Sequence, residues 1–193
     1  MTVDFILASA SQRRQELLKR ILPEFRIKVS DFNEDLIIYD GDPRSYVKRL
    51  ALEKAKAISH SFSKETYILG ADTVVYFQGK ILEKPIDRND AYKMIKMMQG
   101  NTHQVYSGMA LIQSEHSIKD TLAIETEVLF APMDEREIQT YLDTDEWRDK
   151  AGGYGIQGFA ARHITGIHGD YYNVMGLPLQ ELYKVLKKYN IKT

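Results

Sequence analysis

Apolar and polar positions along this chain follow two periods. Short apolar runs bounded by polar turns read as strands, and segments whose apolar residues recur every three or four positions read as helices. Phe5-Ile6-Leu7-Ala8 is a strand that runs into the small residues Ser9-Ala10-Ser11. A helix follows from about Gln12 to Leu22, with Leu17, Leu18 and Ile21 on its apolar face. Phe25 to Val29 alternates as a strand does. Asp42-Pro43 supplies an N-cap and a proline at the first helical position. The helix it opens carries Val47, Leu50, Ala51 and Ile58 on one face. Tyr67 to Phe77 is a strand, Gln78-Gly79 a turn, and Lys80 to Leu82 a hairpin partner.

Asp87 and Asp90 cap a helix that runs through Met98 and ends at Gly100. Gln104 to Ile112 and Leu122 to Phe130 are long strands, and Asp134 and Glu137 stand at capping-box spacing ahead of Ile138, Tyr141 and Leu142. Asp149 to Gly158 is glycine-rich and irregular. A strand near Phe159 to Ile164 comes next, and Pro178 opens a last helix with Leu182, Val185 and Leu186 inward. Strands and helices thus alternate, the signature of an α/β or α+β architecture. No repeat, low-complexity tract or linker rich in Pro, Gly or Ser divides the chain. At 193 residues and 44% hydrophobic it can build one substantial core or two lobes. We read residues 1–193 as a single domain.

Composition narrows the chemistry. Lys plus Arg is 26 against 27 Asp plus Glu. A protein that neutralises the phosphates of long nucleic acid carries a basic excess, so no long nucleic acid is expected as a partner. There is no cysteine, which excludes disulfides, cysteine-ligated zinc and thiol nucleophiles. The N-terminus has no basic stretch followed by an apolar one, and no segment reaches the roughly 18 uncharged apolar residues of a membrane span. The expectation is a soluble cytoplasmic protein without a membrane partner.

The informative residues are charges at positions where the pattern calls for apolar ones. Asp72 shares a strand face with Ile68, Gly70 and Val74. Burying an ionised carboxylate alone is costly, so Asp72 is paired, hydrogen-bonded, metal-bound or at a cleft. The structural alternative is an aspartate capping the next turn. Lys54 falls near the middle of the Val47–Ile58 stripe at about 100° per residue. It either snorkels along the core or lines a cleft as a cation for phosphate. Arg13 and Arg14 occupy a helix's first turn after a loop of small residues, where the helix dipole opposes positive charge. An anionic ligand would relieve that conflict, and a solvated arginine pair is the alternative. Glu83-Lys84-Pro85 and Glu34-Asp35 carry little signal alone.

Several motifs can be set aside. Gly153-Tyr154-Gly155-Ile156-Gln157-Gly158 fits G-x-G-x-x-G, but a charged run precedes it and a strand follows, the reverse of the dinucleotide fingerprint. It reads as a flexible or ligand-hugging loop. No G-x-x-x-x-G-K-[ST] or G-x-S-x-G occurs, and the five histidines have no zinc-site spacing.

Taken in order, Leu7-Ala8-Ser9-Ala10-Ser11-Gln12-Arg13-Arg14-Gln15-Glu16-Leu17-Leu18, Tyr46 to Ala55, Gly70-Ala71-Asp72-Thr73-Val74-Val75, Leu82-Glu83-Lys84-Pro85, Asp149 to Gly158 and Gly176-Leu177-Pro178-Leu179 resemble the successive blocks of the Maf family. The resemblance covers nearly the whole chain. It implies an α/β, Maf/ITPase-like fold, a two-lobed mixed sheet with flanking helices around a central nucleotide cleft. It also implies a homodimer and a pyrophosphatase dependent on a divalent metal cation, Mg²⁺ or Mn²⁺. The small-molecule substrate would be a nucleoside triphosphate, split to monophosphate and pyrophosphate. Thr73 after Asp72 and the Gly155-Ile156-Gln157-Gly158 loop resemble the dTTP/UTP branch; the 7-methyl-GTP branch has Gln after the aspartate. By matching positions, Asp72 takes the general-base role and Arg13, Thr73 and Gln157 select the substrate. Ser9, Arg14, Lys54 and Lys84 hold phosphate, and Glu34 and Asp72 hold the metal. Gln12 stands where the family has proline, and Gly153 where it has alanine. Two other readings accompany this one: a house-cleaning pyrophosphatase for another non-standard nucleotide, and a septum regulator acting through a partner.

Overall fold

The computed structural model describes residues 3–192. The strands are β1 (Phe5–Leu7), β2 (Arg26–Ile27), β3 (Tyr67–Phe77), β4 (Lys80–Leu82), β5 (Thr102–Gln113), β6 (Ile118–Phe130) and β7 (Ile164–His168). The helices are α1 (Gln12–Lys19), α2 (Pro43–Ser59), α3 (Arg88–Met98), α4 (Glu135–Leu142), α5 (Tyr171–Met175) and α6 (Leu179–Lys188). The strands form one mixed sheet in the order β2-β1-β3-β5-β6-β7, and β4 also pairs with β3. β1 runs parallel to β2 and β3, whereas β4 is antiparallel to β3 and β7 to β6.

The capping signals act as their chemistry dictates. The Asp42 side chain accepts from the Arg44 amide with Pro43 in the first turn, and Asp87 accepts from the Asp90 amide. Asp134 and Glu137 complete both halves of a capping box. Gln78 and Gly79 take positive φ between β3 and β4, as a tight hairpin requires.

Three elements depart from the sequence reading. α1 stops at Lys19 because the next amides bond three residues back (Arg20 to Leu17, Ile21 to Leu18) and Pro23 disfavours helical geometry at Leu22. The alternation of Phe25 to Val29 yields only the two-residue β2, and Ile27 and Val29 are exposed at the sheet edge. The expected strand at Phe159–Ile164 is a 3₁₀ turn over Phe159–His163, closed by the Ala161 amide on the Gly158 carbonyl; β7 begins only at Ile164.

The chain divides into two compact units. One comprises the residues up to Asp72, Ser107–Ile124 and the stretch from Gly176 onward; the other comprises Thr73–Tyr106 and Glu125–Met175. In the first unit, Ile6, Ala8, Ala55, Ile58, Ile68 and Ile112 form an apolar cluster. Each of the isoleucines taken from water contributes about 1.5–3 kcal/mol against the entropy of folding. Two glycines fix how closely α2 approaches its strands. A methyl group on Gly70 would collide with the Ala51 carbonyl, and one on Gly108 with the Val47 carbonyl. In the second unit, α3 and α4 bury Ile95, Met98, Ile138, Tyr141 and Leu142 in a larger cluster with Trp147 and Tyr154.

Candidate active site

The glycine contact in the first unit sets the register of its charged residues. Gly70 meets Ala51; two residues along the strand, on the same face, is Asp72, and one helical turn beyond Ala51 is Lys54. The two therefore come together. Lys54 Nζ donates to Asp72 Oδ1 at 2.5 Å and pairs with Glu34 Oε1 at 2.9 Å. Asp72 is 6% exposed, whereas the Glu34 side chain is 52% exposed on a 3₁₀ turn over Glu34–Leu36. One ammonium thus bridges a buried and an open carboxylate.

The loop between β1 and α1 adds a second cation. Ser11 caps α1 through the Arg14 amide, and its own amide donates to Ser9 Oγ at 3.3 Å. Arg14 donates from Nη1 to Ser9 Oγ at 3.3 Å and from Nε to the Gly176 carbonyl at 2.9 Å. Arg13 lies on the same turn, close enough for its charge to act on Arg14. The first turn of α1 holds no acidic side chain.

Burial dominates the electrostatics. It pushes the Asp72 carboxyl above the ordinary aspartate range, and the charges of Lys54 and Arg14, with the Lys54 hydrogen bond, pull it back down; Glu34 adds to the upward push. Burial likewise lowers Arg14, Asp72 and Glu34 raise it, and Arg13 lowers it further. An acid raised by burial, beside cations that hold its ionised form, is suited to accept and release a proton.

Ser9, Arg13, Arg14, Glu34, Lys54 and Asp72 all belong to the first unit. Thr73, Lys84 and Gln157 belong to the second. There, the segment of Lys84 is tied to the loop of Gln157: the Gly152 amide donates to the Glu83 carbonyl at 3.0 Å, and Pro85 packs near Gly153. Gly152 (φ +67) and Gly153 (φ +71) take left-handed conformations, and the Gly153 carbonyl accepts from the Tyr141 hydroxyl at 2.8 Å. Lys84 and Gln157 are exposed.

Among the described residues no cluster of three or more His, Asp or Glu is arranged to hold a metal ion. Glu34 and Asp72 nevertheless offer two hard oxygen donors already drawn to one cation, Lys54. That set fits Mg²⁺ or Mn²⁺, which take one or two carboxylates and complete their shell with phosphate and water. Sequence reasoning did not single out Glu146 and Lys150, which grip the Gln157 loop. Their signal was only that two charges precede a glycine-rich run.

The family profile described as Maf-like protein matches residues 4–189. The chain belongs to the Maf family. Among Maf relatives, the dTTP/UTP pyrophosphatase of Clostridium novyi (strain NT) is 46% identical over 180 residues, 93% of this chain and 94% of its own length. The dTTP/UTP pyrophosphatase of Clostridium perfringens (strain 13 / Type A) is 46% identical over 186 residues, 96% of this chain and 97% of its own. The structure of the Staphylococcus aureus Ham1 protein superposes with a TM-score of 0.54 at 11% identity, covering 96% of this chain and 99% of that one. That likeness establishes that the Maf chain shares the Ham1 fold. No helix among the described residues is long and apolar enough to cross a membrane.

Proposed function

We propose that this Maf-family chain is a nucleoside triphosphate pyrophosphatase that hydrolyses dTTP and UTP to the monophosphate and pyrophosphate. The observation that carries the reading is the buried, upshifted Asp72 held by Lys54 beside Glu34 and Arg14. It is supported by the two clostridial relatives of that name, which match this chain almost end to end.

The reaction breaks the anhydride between the α and β phosphates and adds the elements of water across it. In this reading Asp72 orients the water and accepts its proton, a task suited to a carboxylate whose proton affinity burial has raised. Ser9, Arg14, Lys54 and Lys84 bind the phosphates, and their cations offset the charge that builds up on the leaving pyrophosphate. Lys54 exchanges its carboxylate contacts for phosphate as the nucleotide arrives. Arg13, Thr73 and Gln157 select the pyrimidine through hydrogen bonds. Glu34 and Asp72 would hold Mg²⁺ or Mn²⁺, which when bound neutralises phosphate charge and draws the reacting oxygens together. The whole chain works as one domain in a cytoplasmic homodimer, as the sequence resemblance implies; sedimentation of the purified protein checks the dimer.

Pyrophosphate release with Mg²⁺ or Mn²⁺ against dTTP, UTP, CTP, GTP, ITP and 7-methyl-GTP, with and without EDTA, tests the reading. Turnover should be fastest on dTTP and UTP and vanish with EDTA. Turnover confined to ITP or 7-methyl-GTP, or to none of the panel, would overturn it.

A further inference from the structure

Gln157 is exposed, and the chain on either side of it is held by one short segment, Glu146 to Lys150. On its C-terminal side the Phe159 amide donates to Glu146 Oε2 at 2.8 Å. Gly158 lies so close to the same carboxylate that a methyl group there would land on that oxygen. On its N-terminal side Gly155 packs on the Lys150 stem, where an added methyl would come within 2.7 Å of Cε. Lys150 Nζ in turn donates to the Glu146 carbonyl at 2.5 Å and pairs with Asp149 at 2.7 Å. The Gly158 amide closes the loop on the Gly155 carbonyl at 3.1 Å. The base of the clamp is fixed by Trp147, which is buried and donates from Nε1 to the Leu142 carbonyl at 3.0 Å.

We propose that Glu146 is a positioning residue for base selection: its carboxylate holds the Gly158–Phe159 peptide, one residue beyond Gln157, so that the Gln157 amide meets the substrate base at a fixed angle. An ionised acceptor makes a shorter and stronger bond to a backbone amide than a neutral one, so this link is the stiffest point of the loop. Glu146 itself touches neither water nor phosphate in this scheme. The inference rests on the reading of Gln157 as a selector of the pyrimidine base.

Steady-state pyrophosphate release on dTTP, UTP, dCTP and CTP separates positioning from mere support of the fold. Glu146→Ala should raise KM for dTTP and UTP about tenfold, the scale of one lost charge-assisted bond, with kcat little changed. The preference for dTTP over dCTP should fall toward that of Gln157→Ala, and Glu146→Ala should add little on top of Gln157→Ala. Glu146→Gln keeps an acceptor oxygen and should restore most of the preference. Gly158→Ala, which pushes the carboxylate aside, should reproduce the loss, and it decides the matter should Glu146→Ala fail to fold. Equal losses on all four nucleotides with the preference intact, while Gln157→Ala abolishes that preference, would overturn the role of Glu146 alone. An unchanged preference in Gln157→Ala would overturn the reading of Gln157 and the inference with it.

Discussion

Each unit of this protein buries ionisable side chains, and the two treat them in opposite ways. In the first unit Asp72 is sunk beside Lys54 and Arg14 as a set of opposed charges. In the second, His103 is fully buried against Phe130 and Tyr154, its Nε2 2.6 Å from the Tyr154 hydroxyl. Burial lowers His103 to about 4 and raises the Tyr154 phenol, so the pair is neutral at physiological pH. Neutralising a buried group is the cheaper solution. The first unit keeps its charges where they are expensive, which is the mark of a place kept for chemistry rather than for stability.

The largest effect should come from Asp72→Asn. Turnover on dTTP should fall by about 100- to 10,000-fold, the range for a lost general base. Stability at pH 7 should not fall. Because the folded pKa of Asp72 lies above the unfolded one, its favourable contribution is complete only below the unfolded value and is lost as pH rises through the folded one. The ionised side chain is therefore a cost at neutral pH that Asn relieves, and a clear drop in Tm would reverse the contrast between the units.

Next in size is the pH dependence set by His103. Its folded pKa is depressed, so its contribution is present above 6.5 and is lost as pH falls from 6.5 toward about 4. At about 1.4 kcal/mol per pH unit the loss approaches about 3 kcal/mol. Urea unfolding at pH 7 and pH 4.5 should show this fall in the wild type and a flatter profile in His103→Gln. Equal slopes in both proteins would remove the neutral histidine from the account.

The smallest is Lys54→Met. It strips the buried carboxylate of its nearest partner, and roughly 3–5 kcal/mol is usual for breaking a fully buried pair. Arg14 stays close to Asp72 and the Lys54 side chain is not wholly buried, so about 2 kcal/mol is expected at pH 7. The double variant Asp72→Asn/Lys54→Met should recover most of that loss. Independent, additive losses would mean that the two side chains do not act as a pair.

The paired charges of the first unit were the most legible part of the sequence. Asp72 interrupts an apolar strand face and Lys54 an apolar helical stripe, and two interruptions of periodic patterns point at each other once the elements pack. α2, α3, β3 and the β3–β4 hairpin were readable because caps and turn residues mark their ends. The Gln157 loop of the second unit hides its logic in backbone contacts. Tyr141 and Glu146 hold the Gln157 loop through a carbonyl and an amide, and such contacts leave no side-chain pattern. The turn at Phe159–His163 misread as a strand for the same reason, since its amides are used locally by Gly158 and Glu146. β2 failed differently: alternation marks a strand's faces but does not say whether either face is covered.

Gly70 and Gly108 carry a consequence in genetic terms. Any glycine codon becomes an alanine codon by one base change, and at these two positions the added methyl would strike a carbonyl of α2. The helix that presents Lys54 would then be lifted from the strand that presents Asp72, with no charged residue altered. Random mutagenesis should therefore recover inactive alleles there that assays of metal or nucleotide chemistry would trace to the charges, while the lesion itself is one carbon atom in a helix–strand contact.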